Sequence, residues 1–288
     1  AVFLDDSDTP PRVKQRIALT RELIGDRATG TFVVQSRGHT AVERVFSLVL
    51  LGDLLSLYVA VLRGVDPTPV AVIDELKSRT GLRDLLSASS RDDWPQRGLY
   101  FFFENEEIRT DSGSGGRVVR VGTHAVSRGS KSMLWNRLSQ HRGSMKSGGG
   151  NHRGSVFRQL LGSSLLQRRI DLACPSWASG SSAPRSVREA ELELECAVSE
   201  TIRAMPFVVL PADDEPGPQS VRVYLERNSI ALLSNWDREV IDPPSPEWLG
   251  HLSTSEKVRR SGLWNSNHVE EIYDSKFLDE LEVRVEAM

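Results

Sequence analysis

An α/β fold is what this sequence predicts, and three observations carry that expectation. Strand-forming and helix-forming stretches alternate through residues 1–62. An aromatic run at 98–103 and an alternating run at 117–121 read as a strand pair that leads into a helix. An apolar strand at 206–210 then precedes a helical pattern around Glu226. The 288 residues suffice for one large domain or two modest ones, and 39% hydrophobic with 26% charged residues is ordinary for a soluble globular chain.

In chain order, Val2, Phe3 and Leu4 read as a short strand, and Thr9-Pro10-Pro11 opens a helix that runs to Ile24. Its apolar residues Val13, Ile17, Leu23 and Ile24 fall near helical spacing, and Gly25 stops it. Residues 31–34 are β-prone, Gly38 turns the chain, and Thr40 with Glu43 forms a capping-box pattern at the head of a long apolar helix. A βαβα order of this kind predicts parallel pairing of its two strands. The apolar run 45–62 approaches membrane length, but Asp53 lies at its centre, where a bilayer would charge roughly 3 kcal/mol. It reads as a buried core helix. The opening residues lack the basic-then-apolar order of a secretory signal, and a beginning inside a strand suggests a truncated or processed start. Cys174 and Cys196 form neither a CxxC pair nor a zinc spacing, which points to reduced thiols in a cytoplasmic protein.

The segment LGDLLSLYVAVLRGVDPTPVAVIDELKSR carries the Gly52-Asp53 pair, an Asp66-Pro67-Thr68-Pro69 turn and a closing Leu76-Lys77. With the upstream VFLDDSDTPPRVKQRIALTREL, it resembles the C-terminal end of bifunctional phosphoglucose/phosphomannose isomerases, which are built from sugar-isomerase domains. The resemblance implies that residues 1–81 are a partial α/β sugar-isomerase-like segment, with Thr68 near the substrate and Lys77 at the sugar site. That family's phosphate-binding half and catalytic glutamate lie outside the matching stretch. No base for moving a proton between C1 and C2 remains, so an isomerase fragment is an alternative reading only. Residues 82–94 shift to Ser, Arg and Asp and read as a linker.

Beyond it, Gly98-Leu99-Tyr100 begins the aromatic strand, and residues 105–116 read as a loop. Arg120-Val121-Gly122 closes the second strand, and a helix over 131–141 presents Leu134 and Leu138 on one face. On that helix Arg137 and His141 are four apart, so they project from the same side and can address one phosphate.

These features in this order resemble the GIY-YIG nuclease superfamily, and the Arg-x3-His spacing its restriction-endonuclease-like branch. The resemblance implies a small mixed sheet flanked by helices over residues 95–250, followed by a C-terminal helical extension at 251–288. It also implies a metal-dependent endonuclease acting on double-stranded DNA, with Tyr100, Arg137, His141 and Glu226 as catalytic residues. Glu226 would bind Mg²⁺ or Mn²⁺, and Asn235 matches the trailing asparagine, a further nucleic-acid contact. Glu226 is preferred over Glu193 and Glu195 because the strand at 206–210 precedes it, which leaves those two as surface charges. One departure is plain: Arg120 stands where the second motif has tyrosine, so a role that some members give to that phenol is unfilled, with His124 a substitute. A nucleic-acid-binding protein that has lost cleavage is the corresponding alternative.

Charge supports a polyanion partner independently. Residues 112–170 contain no Asp or Glu but eleven Lys or Arg, leaving 25 basic against 39 acidic residues elsewhere. Arg120, Lys131, Arg142, Lys146 and Arg153 are the candidate nucleic-acid contacts within it, the last two flanking a glycine-rich loop that lacks the GK[ST] ending of a nucleotide-binding loop. The chemistry suits these residue types. Phosphodiester hydrolysis needs charge neutralisation, an activated water and a stabilised leaving oxygen. One carboxylate can hold a cation that keeps its waters, and an arginine fork matches a phosphoryl group.

Overall fold

A computed structural model of the chain describes residues 1–6, 8–24, 30–63, 76, 81–169 and 171–288. The chain divides into two compact units, residues 1–67 and 68–288.

In the first unit, β1 (Val2–Asp5) pairs in parallel with β2 (Phe32–Gln35), Val2 opposite Phe32 and Asp5 opposite Gln35, as the βαβα order predicts. Helix α1 (Pro11–Ile24) connects them, and α2 (Ala41–Arg63) follows. The capping box closes as its residues require: Glu43 N–H donates to Thr40 Oγ1 at 3.2 Å, and Thr40 N–H donates to Glu43 Oε2 at 3.0 Å. Val45, Phe46, Val49, Leu50 and Leu54 of α2 are all exposed, so the expected buried core helix does not hold for those side chains. No helix among the described residues is long and apolar enough to cross a membrane. Thr68 and Lys77, the two positions implied by the isomerase resemblance, lie outside the described residues.

The second unit is organised on a four-stranded sheet in the order β3 (Arg83–Asp84), β6 (Pro206–Pro211), β4 (Gly98–Ile108) and β5 (Gly116–Gly122). Each of its pairings is antiparallel, and the parallel pairing belongs to the first unit. Side chains alternate between two faces, as the strand period demands. Tyr100, Phe102, Val119, Phe207 and Val209 pack on one side, with α3 (Leu134–Arg142), α4 (Val156–Arg168) and α6 (Leu192–Ala204), the last preceded by the short α5 (Arg185–Ala190). Leu99, Phe101, Phe103, Val121, Val208 and Leu210 pack on the other, against α7 (Val221–Leu233) and α9 (Lys276–Glu286). Because both faces are covered, the aromatic strand reads as a continuous apolar run rather than an alternating one.

Three expectations change. Residues 82–94 are not a free linker: β3 pairs with β6, and Leu85 is fully buried in the core. The stretch 105–116 is only partly loop, since β4 continues to Ile108 and β5 begins at Gly116. Its tip is fastened by Asp242, whose Oδ1 accepts the backbone N–H groups of Thr110, Asp111 and Ser112 at 2.8–3.0 Å. Third, the helix expected from residue 131 starts at Leu134, where Asn136 Oδ1 accepts the Met133 N–H at 3.0 Å and fixes the entry.

The C-terminal part closes the sheet. Trp264 N–H donates to the Val119 carbonyl at 2.7 Å, and the Asn265 amide bonds both ways with the Val121 backbone at 3.1 and 2.9 Å. This covers the free edge of β5, which would otherwise offer unpaired backbone groups. Trp264 is fully buried beside Phe157 and Trp248, as part of the core. Between them, α8 (Glu256–Ser261) ends at Gly262 in the left-handed conformation.

Candidate active site

Two glycines set the geometry of the site by close approach. A Cβ at Gly98 would collide with the Leu210 carbonyl on β6, so the strands come together there only over a glycine. Gly122 lies opposite Tyr100 across the β4–β5 pair, and a Cβ there would overlap the Tyr100 ring. The phenol therefore lies flat over the glycine with its oxygen at the end of β5. Gly122→Ala is expected to push the ring aside and lower stability by about 1–3 kcal/mol, as overpacking does. Urea unfolding measures this, and an unchanged midpoint would contradict the ring-on-glycine packing.

The phenol oxygen lies 2.9 Å from His141 Nε2, and the two rings meet edge to face. His141 projects from the last turn of α3 into the core and is completely buried. Its other nitrogen, Nδ1, lies 2.9 Å from Ser155 Oγ at the head of α4. Burial pushes the imidazole well below its ordinary pKa, and Arg137, Arg120 and Arg158 push it the same way. The ring is neutral at physiological pH.

Arg137, one turn before His141, is half-buried, and its Nη1 donates to the carbonyl of Gly154 and to Gln140 Oε1, both at 3.1 Å. Both acceptors are neutral, which leaves its charge uncompensated by a direct ion pair. Glu226 arrives from α7 on the opposite face of the sheet and reaches past the end of β5, where its Oε1 accepts the Thr123 N–H at 3.0 Å. Burial raises its carboxyl above the usual range, against the opposing pull of Arg120, the Thr123 N–H, His268 and Arg137. Arg120 completes the group. It lies on the Tyr100 side of β5, next to a bulge that leaves Val119 between the pairs Phe102–Arg120 and Phe103–Val118. Its guanidinium stacks 4.7 Å over Phe157, donates to the Trp264 carbonyl and feels both Tyr100 and Glu226, while its Nε is buried without a hydrogen-bond partner.

Tyr100, Arg120, Arg137, His141 and Glu226 are thus brought together from two strands and two helices on both faces of the sheet. The other sequence candidates are not. Arg153 is locked in a bidentate ion pair with Glu191 at 2.6 and 2.7 Å. Arg142 donates to the Ala88 carbonyl at 2.7 Å and stacks 4.7 Å over Trp135. Asn235 holds a loop, its Oδ1 accepting the Ile241 N–H at 3.0 Å. These three are structural, and so is part of Arg120's role. Lys131 and Lys146 are exposed. Glu193 is a surface residue, but Glu195 is not: it is buried between Arg158, at 3.0 and 2.5 Å, and His152, at 2.9 Å. His124, the proposed substitute for the missing phenol, is buried with neither ring nitrogen hydrogen-bonded; burial first, then Arg222, lowers its pKa to about 4.

Ser155 and Thr123 are site residues that sequence reasoning passed over. A serine before an apolar helical run is a cap signal, and Ser155 does cap α4. Nothing local says that the same hydroxyl meets a histidine 14 residues earlier.

Comparison with known proteins bears on both units. The family model described as GIY-YIG domain matches residues 69–288. The model for the bacterial phospho-glucose isomerase C-terminal SIS domain matches residues 1–80. Among curated proteins, a bifunctional phosphoglucose/phosphomannose isomerase of Caldicellulosiruptor bescii is 41% identical over 78 residues, 27% of this chain and 23% of that protein. A protein of the same description from Thermoplasma acidophilum is 32% identical over 77 residues, 27% of this chain and 24% of that one. The chain spans about a quarter of the length of these curated relatives. No solved structure matches.

Proposed function

The chain belongs to the GIY-YIG domain family, and from that premise we propose that it is a metal-dependent endonuclease that hydrolyses DNA phosphodiester bonds. The observation that carries this reading is the convergence of a phenol, a neutral imidazole, a guanidinium that donates to neutral acceptors and a desolvated carboxylate around the end of β5.

In this reading a water oxygen attacks phosphorus while the bond from phosphorus to the leaving sugar oxygen breaks. Tyr100, having given its own hydrogen to solvent, takes the water's proton on the oxygen that His141 Nε2 holds in place, and the leaving sugar oxygen is protonated from solvent. Arg137 presents a planar pair of donors to the charge that develops on the phosphoryl oxygens, and needs only to give up its contacts with Gly154 and Gln140 to do so. Arg120, buried behind Tyr100, supplies a fixed positive charge at the position where the second motif of the resemblance has tyrosine. Glu226 is the metal-binding candidate. Among the described residues no three His, Cys, Asp or Glu side chains gather to cage an ion. A single hard oxygen donor suits Mg²⁺ or Mn²⁺ that retains most of its waters. When bound, such an ion neutralises charge on the leaving oxygen. Exposed Lys131 and Lys146 extend the contact along the sugar–phosphate backbone.

The test is conversion of supercoiled plasmid to nicked and linear forms by the full chain with Mg²⁺ or Mn²⁺. Cleavage that stops on chelation is expected. Salt-sensitive DNA binding without any cleavage would replace this reading with that of a non-cleaving binding protein of the same fold.

A further inference from the structure

We propose that Ser155 is a positioning residue of this site: its hydroxyl donates to His141 Nδ1, so that the imidazole keeps its one proton on Nε2 and aims it at the Tyr100 oxygen. The functional part of this proposal rests on the nuclease reading; the protonation pattern does not.

A neutral imidazole has one N–H, and the hydrogen bond at one nitrogen decides where it sits. Ser155 is 2% exposed, and its Oγ already accepts the Arg158 N–H at 3.3 Å as the cap of α4. The remaining neighbour within hydrogen-bond distance of that hydroxyl is His141 Nδ1 at 2.9 Å. Nδ1 is the acceptor on this account, which leaves Nε2–H to donate to the phenol oxygen 2.9 Å away. An oxygen that accepts from Nε2 turns its own hydrogen outward and is stabilised once that hydrogen is gone, which is what a proton acceptor for water requires.

The scaffold fixes both ends of this chain of bonds. Arg158, fully buried, donates from Nη1 to the His141 carbonyl at 2.7 Å while its own backbone N–H meets Ser155. Glu195 anchors that guanidinium through both Nε and Nη2, and Ser199 Oγ takes a further bond at 2.9 Å. The groups facing His141 are Tyr100 and Phe102 from β4, Arg120 from β5, Arg137 from its own helix, and Phe157 and Arg158 from α4. None of the side chains among them offers Nδ1 a carboxylate, so a hydroxyl decides the tautomer.

Long-range ¹H–¹⁵N correlation spectra of the uniformly labelled full chain at neutral pH read the tautomer directly. The expected result is a His141 with Nε2 protonated and Nδ1 bare; Nδ1 protonated overturns the proposal, whether or not the protein cleaves DNA. In Ser155→Ala, kcat for plasmid nicking is expected to fall about tenfold, the usual effect of losing an orienting partner, with KM for DNA little changed. Ser155→Thr, which keeps hydroxyl and cap, restores most of the loss. An alanine variant that matches wild type in kcat and in its imidazole spectrum overturns the proposal. Should the alanine variant not fold, the wild-type spectrum still decides. A wild-type chain that cleaves nothing overturns the nuclease reading alone, and the spectrum again decides for Ser155.

Discussion

Replacing Glu226 with glutamine is expected to reduce plasmid nicking about a thousandfold, the scale on which removal of a fixed, desolvated electrostatic partner acts. The carboxylate contacts the Thr123 N–H through one oxygen, and glutamine can keep that bond, so β5 and α7 should stay in register. What glutamine removes is the charge. Binding of plasmid without added metal should therefore survive, while the Mn²⁺ binding seen by electron paramagnetic resonance in wild type should disappear. Equal nicking by Glu226→Gln and wild type would remove Glu226 from the metal role. Glu195, the rival carboxylate on sequence grounds, could not then take its place without giving up Arg158 and His152.

Glu195→Leu is expected to have the largest effect on stability, about 3–5 kcal/mol, because it strands a fully buried guanidinium. Arg158 would keep its bonds to the His141 carbonyl and Ser199 but lose its counter-charge. Chemical denaturation at neutral pH measures this. Adding Arg158→Met to the same chain should recover much of the loss, since an apolar pair of similar volume can replace a buried ion pair at little net cost. A loss below about 1 kcal/mol for the single variant would place the pair with weak surface bridges instead.

The same residue gives a pH signature. Burial would raise the Glu195 carboxyl, but the hydrogen bonds from His152 and Arg158 and the charge of Arg158 outweigh it, and the net shift is downward from 4.5. A depressed folded-state value means that the stabilisation is complete above about 4.5 and is lost as pH falls through the lower folded value. Wild-type stability should therefore drop in that acid window more steeply than the stability of Glu195→Leu.

Much of the candidate site was legible in residue order. Tyr100 lay in a run too aromatic to be anything but a covered strand, and Gly122 ended the alternating strand opposite it. The Arg137–His141 spacing placed both on one side of α3 because helices repeat at 3.6 residues. Structure separated them in depth: Arg137 stays at the rim and His141 is sealed beneath it. The basic stretch misled for a related reason. Its cations look free along the chain, yet Arg117, Arg153 and Arg158 are neutralised by Glu107, Glu191 and Glu195. Two of those three glutamates lie 37 or 38 residues away on or beside α6. Linear charge density counts neighbours in sequence, whereas an ion pair needs neighbours in space.

The sequence by itself determined the α/β elements, the family and the candidates Tyr100, Arg120, Arg137, His141 and Glu226, because periodicity, caps and motif order are local properties of a chain. Only the tertiary structure decided which cations remain available, that Arg120 is buried behind the phenol, and that Ser155 stands behind His141. Those facts depend on burial and on contacts between helices distant in sequence, and desolvation acts only once the chain has closed around them.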